Sequence, residues 1–152
     1  MSEREGLFYR SVPEFTQMIV GIEWLVEAAD CDAAKLRDES LLRQLVDRVI
    51  ADLGLKVIDS IWHNFPDAGG ITGMAMLAES HLTCHTYPEH GTATFNLYCC
   101  RSRPEWDWES NLKPLLDARS VSITRIERGE IKIEGPRSER SILGFRPGGG
   151  RE

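Results

Sequence analysis

The chain has 152 residues, a length that predicts one domain with a substantial core. Its composition, 41% hydrophobic and 28% charged, is ordinary for a globular protein. The net charge of −6 and the pI near 5.3 argue against a nucleic-acid-binding surface, which normally carries a basic patch.

The amino-terminal part of the chain predicts a strand followed by a helix. Residues 1–18 have no clear period and are expected to form a loosely packed extension, while residues 18–30 predict a first strand with an apolar centre. From Asp38 onward, apolar residues recur at three- and four-residue spacing, which indicates one buried helix stripe. Gly54 then stands where a left-handed helix cap is expected.

The middle of the chain predicts three strands in close succession. Residues 55–63 form the first of them, and a Pro/Gly loop follows. Residues 71–78 form the next, and their lack of strict alternation indicates burial on both faces. Residues 81–87 follow almost at once, and Pro88 ends that strand.

The last third predicts two strands around a second helix. Residues 92–100 form a strand, and residues 107–118 form a helix in which Pro114 must lie in the first turn or cause a kink. Residues 120–128 alternate and predict the final strand. The tail from Gly129, which ends in a glycine-rich segment, is expected to be mobile.

This order of elements, β-α-β-β-β-β-α-β, predicts an α+β fold. We expect a two-layer sandwich with a largely antiparallel sheet and the helices on one face. The predicted domain spans residues 19–130, between an extension of residues 1–18 and a tail of residues 131–152. No run reaches the ~18 apolar residues of a membrane span. The amino-terminal stretch also lacks the apolar core of a signal peptide.

Ionisable side chains are concentrated in residues 77–91, "LAESHLTCHTYPEHG". Its histidines and glutamates do not have the spacing of a helical HExxH zinc site, so no metal is expected. A hydrolase with Ser80 as nucleophile and His85 as base is a second interpretation, although no G-x-S-x-G elbow is present. The four cysteines show neither zinc-finger spacing nor a disulfide framework, and we therefore expect reduced thiols in the cytoplasm.

A third interpretation uses the same serine to cleave its own chain. The Ser80 hydroxyl can attack the carbonyl carbon of the preceding peptide bond and give an ester, provided that a donor stabilises the oxyanion and a base is near. Removal of the serine α-proton then breaks the Cβ–O bond of the ester by β-elimination. Hydrolysis of the resulting dehydroalanine leaves an amino-terminal pyruvoyl group. Such a carbonyl can form a Schiff base with an amine and accept the electrons of a departing carboxylate, as pyridoxal phosphate does. These residues alone do not decide between cleavage and the hydrolase.

The segment "GITGMAMLAESHLTCHTYPEHG" resembles the self-processing segment of the short bacterial and archaeal S-adenosylmethionine decarboxylases. That family has a Gly-x-Ser/Thr-Gly strand, then Glu-Ser-His, then His-Thr-aromatic-Pro-Glu. The likeness extends over about residues 20–130, through "WLVEAADCDAAKLRD", "SIWHNFP", the "YCC" strand end and "SITRIERG". It implies a self-cleaving, pyruvoyl-dependent decarboxylase (a carboxy-lyase) that makes decarboxylated S-adenosylmethionine for polyamine (spermidine) biosynthesis.

The resemblance also implies a role for each matching residue. Ser80 becomes the pyruvoyl precursor, by cleavage after Glu79 into a β chain of residues 1–79 and an α chain of residues 80–152. His85 is the base that removes the α-proton, Thr72 assists processing, and Cys100 returns a proton to the product. An unperturbed thiol keeps its proton at pH 7 and suits that task. Substrate binding is assigned to an aromatic and an acid, which fall at Phe65 and Glu89.

The resemblance further implies a homodimer whose sites borrow residues across the interface. The cofactor is the covalently bound pyruvoyl group, with neither metal nor pyridoxal phosphate. The partner is a small amine or amino-acid substrate, with no nucleic acid or membrane.

The chain also departs from the family pattern. "GIEWL" replaces a Gly-Arg-His start, the loop before Ile71 is one residue longer, Tyr87 stands where Trp is common, and Asn96 replaces an aspartate. The departures lie around the substrate, so two alternatives remain. One is an L-ornithine or L-arginine decarboxylase of the same family, because an electron sink does not discriminate between amino acids whereas a pocket does. The other is an unprocessed, non-catalytic homologue.

Overall fold

The computed structural model describes residues 15–67 and 69–134. Most of the predicted extension and of the predicted mobile tail therefore lies outside the described residues. By its internal contacts the chain divides into one unit of residues 19–130 and another that combines residues 1–18 with residues 131–152. The site described below lies within the first unit.

Six strands form one sheet in the order β2-β3-β4-β5-β1-β6. The strands are β1 (Phe15–Ala29), β2 (Val57–Asn64), β3 (Ile71–Leu77), β4 (Ser80–Tyr87), β5 (Thr92–Cys99) and β6 (Ser120–Glu134). The pairs β2–β3, β3–β4, β4–β5 and β5–β1 are all antiparallel. The largely antiparallel sheet predicted from the sequence is confirmed.

The first helix, α1 (Glu39–Asp52), begins and ends where the sequence predicted. The Asp38 carboxylate accepts a hydrogen bond from Leu41 N at 3.0 Å and caps the amino terminus. Gly54 adopts φ +61° just beyond the carboxyl end, a conformation that costs glycine little. The apolar stripe is buried at Leu42, Leu45, Val46 and Val49.

The second helix, α2 (Trp108–Leu116), buries Trp108, Leu112 and Leu116, which lie one turn apart. Asp107 caps it by accepting a hydrogen bond from Ser110 N at 3.2 Å. Of the two predicted alternatives for Pro114, a place in the first turn or a kink, the first is wrong, because Pro114 lies in the last turn. Two short 3-10 helices, Lys35–Arg37 and Pro88–His90, complete the elements. Neither α-helix in the described part of the chain is long and apolar enough to cross a membrane.

Both helices pack on one face of the sheet, as the α+β prediction required. The core side chains of β1, β3, β4 and β5 belong to one buried cluster with those of α1 and α2. Within it the Phe95 and Trp108 rings lie 5.9 Å apart. The face that touches the helices is therefore set by alternation along each strand.

The prediction that β3 is buried on both faces is wrong. Ile71, Ala75 and Leu77 are buried on the helix face, whereas Met74 and Met76 are 47% and 52% exposed. Methionine is apolar, so the sequence looked like a continuous hydrophobic run. The two methionines point to the opposite face of the sheet, which neither helix covers and which we call the open face.

The final strand is longer than the predicted 120–128. Strand β6 continues through Gly129, where the tail was expected to begin, as far as Glu134. Gly129 has φ +66°, and a Cβ at this position would collide with the Val20 side chain. Glycine is therefore required here by close packing inside a strand, and it does not mark the end of one.

Candidate active site

The bond predicted to be cleaved lies in a tight hairpin. Strands β3 and β4 are joined by only two residues, Ala78 and Glu79, and Ser80 is the first residue of β4. Ser80 is paired in register with Leu77 on one side and with Cys99 on the other. Ser80 in β4 therefore lies between the end of β3 and the end of β5.

The carbonyl group of Glu79, which the serine would attack, accepts a hydrogen bond. Its donor is the backbone N–H of Cys100, at an N···O distance of 3.0 Å. When the Ser80 hydroxyl adds to this carbonyl carbon, the oxygen becomes an oxyanion. A backbone donor aimed at that oxygen is the arrangement by which oxyanion holes stabilise such charge.

The Ser80 side chain contacts the thiol of Cys99. The Ser80 hydroxyl donates toward the Cys99 sulfur over 3.8 Å. Burial raises the pKa of the Cys99 thiol, and the Ser80 hydroxyl and the Arg103 charge oppose this only in part. A raised pKa favours the neutral thiol, so Cys99 is poorly suited to act as a base. Sequence reasoning passed over Cys99, although it has the core-facing parity of Phe95 in β5.

Cys100, the cysteine chosen from the sequence, occupies a different position. It follows the last residue of β5, and the residue is exposed. Its backbone contacts the Glu79 carbonyl, so both halves of the Cys99–Cys100 pair adjoin the cleavage point. One contributes a thiol and the other a peptide N–H.

Two arginines that sequence reasoning missed hold the Glu79 side chain. Arg101 Nε lies 3.0 Å from Oε1, and Arg103 Nη2 lies 3.2 Å from Oε2. Each oxygen of the carboxylate therefore has its own cation. Nothing in residue spacing predicts this pairing, because it depends on how the segment after β5 turns back toward the hairpin.

Thr72 and His85 form a second cluster, on the open face. They are paired in register across β3 and β4, and Thr72 Oγ1 lies 2.9 Å from His85 Nδ1. Both side chains are partly buried. The two residues assigned to processing by resemblance are thus in direct contact.

The structure does not bring His85 to Ser80 within one chain. The two residues are five positions apart along β4, which amounts to about 16 Å in an extended strand. An odd separation also places the two side chains on opposite faces of the sheet. A single copy therefore holds the serine and the histidine in two separate places.

The residues predicted to bind substrate are both accessible. Phe65 follows β2 and is 50% exposed, and its ring meets His63 edge to face at 4.7 Å. Glu89 is exposed on the 3-10 helix after β4, 3.9 Å from the His90 ring. Both side chains are therefore exposed to solvent, although each also contacts a neighbouring histidine.

A cavity of about 510 Å³ opens on the open face of the sheet. This volume lies within the range of small-molecule sites. Polar and apolar side chains both line it, among them Glu27, Met74, His81, His85 and Asn96.

Two departures from the family pattern touch each other beside this cavity. Asn96 Nδ2 donates to Glu23 Oε1 at 2.8 Å, and Asn96 Oδ1 lies 2.9 Å from His81 Nε2. Arg128 pairs with the other Glu23 oxygen. The Asn96 hydrogen bond, followed by Arg128, lowers the pKa of Glu23 below its ordinary value. In the described residues no group of three His, Cys, Asp or Glu side chains is arranged to hold a metal ion.

These features define a class: a two-layer α+β domain with a serine next to a polarised peptide bond in a hairpin. Comparison with known proteins agrees with that class. The sequence profile of S-adenosylmethionine decarboxylase matches residues 22–129. The chain therefore belongs to the S-adenosylmethionine decarboxylase family, as its motifs indicated.

Individual relatives support the same assignment. The S-adenosylmethionine decarboxylase proenzyme of Prochlorococcus marinus (strain MIT 9313) is 37% identical over 112 residues, which is 72% of this chain and 88% of the relative. A second proenzyme, from Halalkalibacterium halodurans, is 32% identical over 78% of this chain and 94% of its own length. The crystal structure of the Aquifex aeolicus VF5 adenosylmethionine decarboxylase matches with a TM-score of 0.61 and 26% identity. That match covers 80% of this chain and 98% of that structure.

Proposed function

We propose that the protein is a self-cleaving, pyruvoyl-dependent S-adenosylmethionine decarboxylase that supplies decarboxylated S-adenosylmethionine for polyamine biosynthesis. The observation that carries this is the hydrogen bond from Cys100 N to the Glu79 carbonyl, directly before Ser80. The free thiols among the described cysteines agree with a reducing compartment, the cytoplasm.

The first step of cleavage uses three groups at the hairpin: the Ser80 hydroxyl, the Glu79 carbonyl and the Cys100 N–H. The Ser80 oxygen attacks the Glu79 carbonyl carbon while Cys100 N–H stabilises the oxyanion. The C–N bond then breaks, the serine nitrogen takes a proton, and an ester joins Glu79 to the serine oxygen. A base removes the Ser80 α-proton, the Cβ–O bond breaks, and the Glu79 carboxylate leaves. Water then replaces the nitrogen of the new amino-terminal residue and releases ammonia.

The residues around Ser80 fit the pyruvoyl group that this reaction would leave. That group supplies an electron sink for the pair of electrons left by the substrate carboxylate. Cys100 would return a proton to the product carbon, while the half-exposed Phe65 ring stacks on the adenine and Glu89 binds the cationic part of the substrate.

The base comes from a second copy of the chain. His85 lies about 16 Å along the strand from Ser80 and on the other face, so a homodimer is needed to bring a Thr72–His85 pair to each serine. The open face carries exposed apolar side chains at Leu25, Ile61 and Met76. An apolar patch of this kind is typical of a protein interface.

Complementation tests the composite site. Ser80→Ala and His85→Ala chains, each inactive alone, are co-expressed with different tags. A mixed dimer contains one intact serine facing one intact histidine, so we expect the His85→Ala chain to be cleaved and activity to return. If neither chain is cleaved in the mixed sample while both fold, the shared site is wrong.

Carbon dioxide release tests the substrate. The wild-type protein is assayed in parallel with S-adenosylmethionine, L-ornithine and L-arginine, and Ser80→Ala is the control. We expect release from S-adenosylmethionine alone, and none from the control. Preferred release from ornithine or arginine would retain the pyruvoyl chemistry and change the substrate, whereas an intact chain without activity would identify a non-catalytic homologue.

A further inference from the structure

The two arginines on Glu79 form an arrangement that the cleavage steps above do not use. Arg101 and Arg103 each hold one oxygen of the carboxylate, and Arg103 Nη1 also donates to the Leu53 carbonyl at 3.2 Å. Arg103 therefore ties the hairpin to the end of helix α1. We call Glu79, Arg101 and Arg103 the carboxylate clamp.

The clamp is more enclosed than an ordinary surface ion pair. The Glu79 and Arg103 side chains are each 28% exposed, whereas Arg101 is 74% exposed. Exposed single pairs contribute little because water screens them. Two cations on one partly enclosed carboxylate restrict its position much more strongly, and the carboxylate belongs to the residue whose peptide bond would be cleaved.

Cleavage creates negative charge on Glu79 twice. The carbonyl oxygen first becomes an oxyanion, and the same residue later departs as a carboxylate. A free side-chain carboxylate on Glu79 would oppose both steps by repulsion. Two guanidinium groups change the local charge from −1 to +1, so they reverse that repulsion.

We propose that Arg101 and Arg103 are positioning residues for self-cleavage. They neutralise the Glu79 side chain, hold its carbonyl against the Cys100 N–H, and retain the new carboxyl end of the β chain after the Cβ–O bond breaks. This inference rests on the proposed function, because it concerns the same bond.

Two observations support the clamp's role. Burial chiefly raises the pKa of the Cys99 thiol beside Ser80, and the charges of the clamp also act on this pKa, since Arg103 lowers it and Glu79 raises it. In addition, Arg103 Nε is buried without a hydrogen-bond partner in the part of the chain that the structure describes. Buried donors are rarely left unpaired. After cleavage, the α-carboxylate at the new end of the β chain, on Glu79, would accept a hydrogen bond from the Arg103 Nε–H.

The test follows the rate of self-cleavage in Arg103→Gln, Arg103→Lys and Arg101→Gln, with Arg48→Gln as the control. Arg48 pairs with Asp52 within helix α1 at 3.8 Å, and its substitution also removes one exposed arginine charge. Chains are made in a short pulse, and the two fragments are followed on a denaturing gel. We expect cleavage to slow at least ~10-fold in Arg103→Gln, less in Arg103→Lys and Arg101→Gln, and not at all in the control.

A second readout separates the clamp from a merely structural role. Hydroxylamine cleaves an ester but not a peptide bond, so it reveals chains arrested before elimination. We expect Arg103→Gln to accumulate hydroxylamine-sensitive chains. In a Glu79→Gln background, Arg103→Gln should cost much less, because the carboxylate to be neutralised is gone.

The outcomes are distinguishable. Wild-type protein that never cleaves would overturn the proposed function itself. If the wild-type chain cleaves, and both Arg103→Gln and Arg101→Gln cleave at the wild-type rate, only the clamp is overturned. An equal loss in the Glu79 and Glu79→Gln backgrounds would do the same. If thermal unfolding shows that Arg103→Gln does not fold, the Arg101→Gln variant is used instead, because Arg101 is more exposed. An Arg101→Gln cleavage rate equal to that of the Arg48→Gln control would then overturn the clamp.

Discussion

Replacing Thr72 by valine removes one hydroxyl group from the contact with His85. Valine is also β-branched, so the strand preference and the packing of β3 are preserved. The lost hydrogen bond, 2.9 Å long and partly buried, is worth about 1 kcal/mol. If it orients the imidazole that removes the Ser80 α-proton, self-cleavage should slow about fivefold.

The assay is the fraction of cleaved chain after a short pulse of synthesis, read on a denaturing gel. Thr83→Val is the matched control, because Thr83 lies on the same face of β4, two residues from His85. We expect the control to cleave at the wild-type rate and the Thr72 variant to fall behind. Equal rates in both variants would refute the argument that this hydroxyl positions the base.

Three further predictions follow from the geometry. Cys100→Ala keeps its backbone N–H and should cleave normally but decarboxylate slowly, while Cys99→Ala should turn over normally; the reverse result would move the proton donor to Cys99. Gly73→Ala places a Cβ 2.5 Å from an indole ring, so chemical denaturation should show a loss of about 1–3 kcal/mol, and unchanged stability would contradict this packing. The Asn96 hydrogen bond is the main reason that the pKa of Glu23 is lowered. The stabilisation of the folded state by the ionised Glu23 carboxylate is therefore complete above the ordinary pKa of 4.5, and it is lost as the pH falls through the pKa of Glu23 in the folded protein. Asn96→Ala should therefore reduce stability at pH 7 and make it fall less steeply below pH 4.5, as measured by denaturation at several pH values.

Local patterns predicted most of the fold. Helix α1 could be located because its apolar stripe, its Asp38 cap and its terminal Gly54 all agree. Strand β3 was misread because Met74 is as apolar as a core residue, and only the absence of a covering helix shows that it faces outward. Gly129 was misread as a boundary because its close approach to Val20 depends on packing between strands.

The candidate site divides in the same way. The sequence motif predicted a role for Ser80 and its neighbours, because the chemistry proposed for them depends on adjacent residues. It did not show that His85 lies on the other face, which follows from an odd spacing in an extended strand. Arg101 and Arg103 meet Glu79 only after the chain has passed through β4 and β5, so no local pattern could reveal them.

The central claim is that Ser80 cleaves its own chain and ends as a pyruvoyl group. Intact-mass measurement of freshly purified protein tests it most directly. We expect two fragments. One is residues 1–79, and the other begins at position 80 and is lighter by the mass of one ammonia than residues 80–152 with an amino-terminal serine. Reduction with borohydride should add two hydrogens to that second fragment alone. A single uncleaved chain, or a second fragment that retains its serine, would contradict the account.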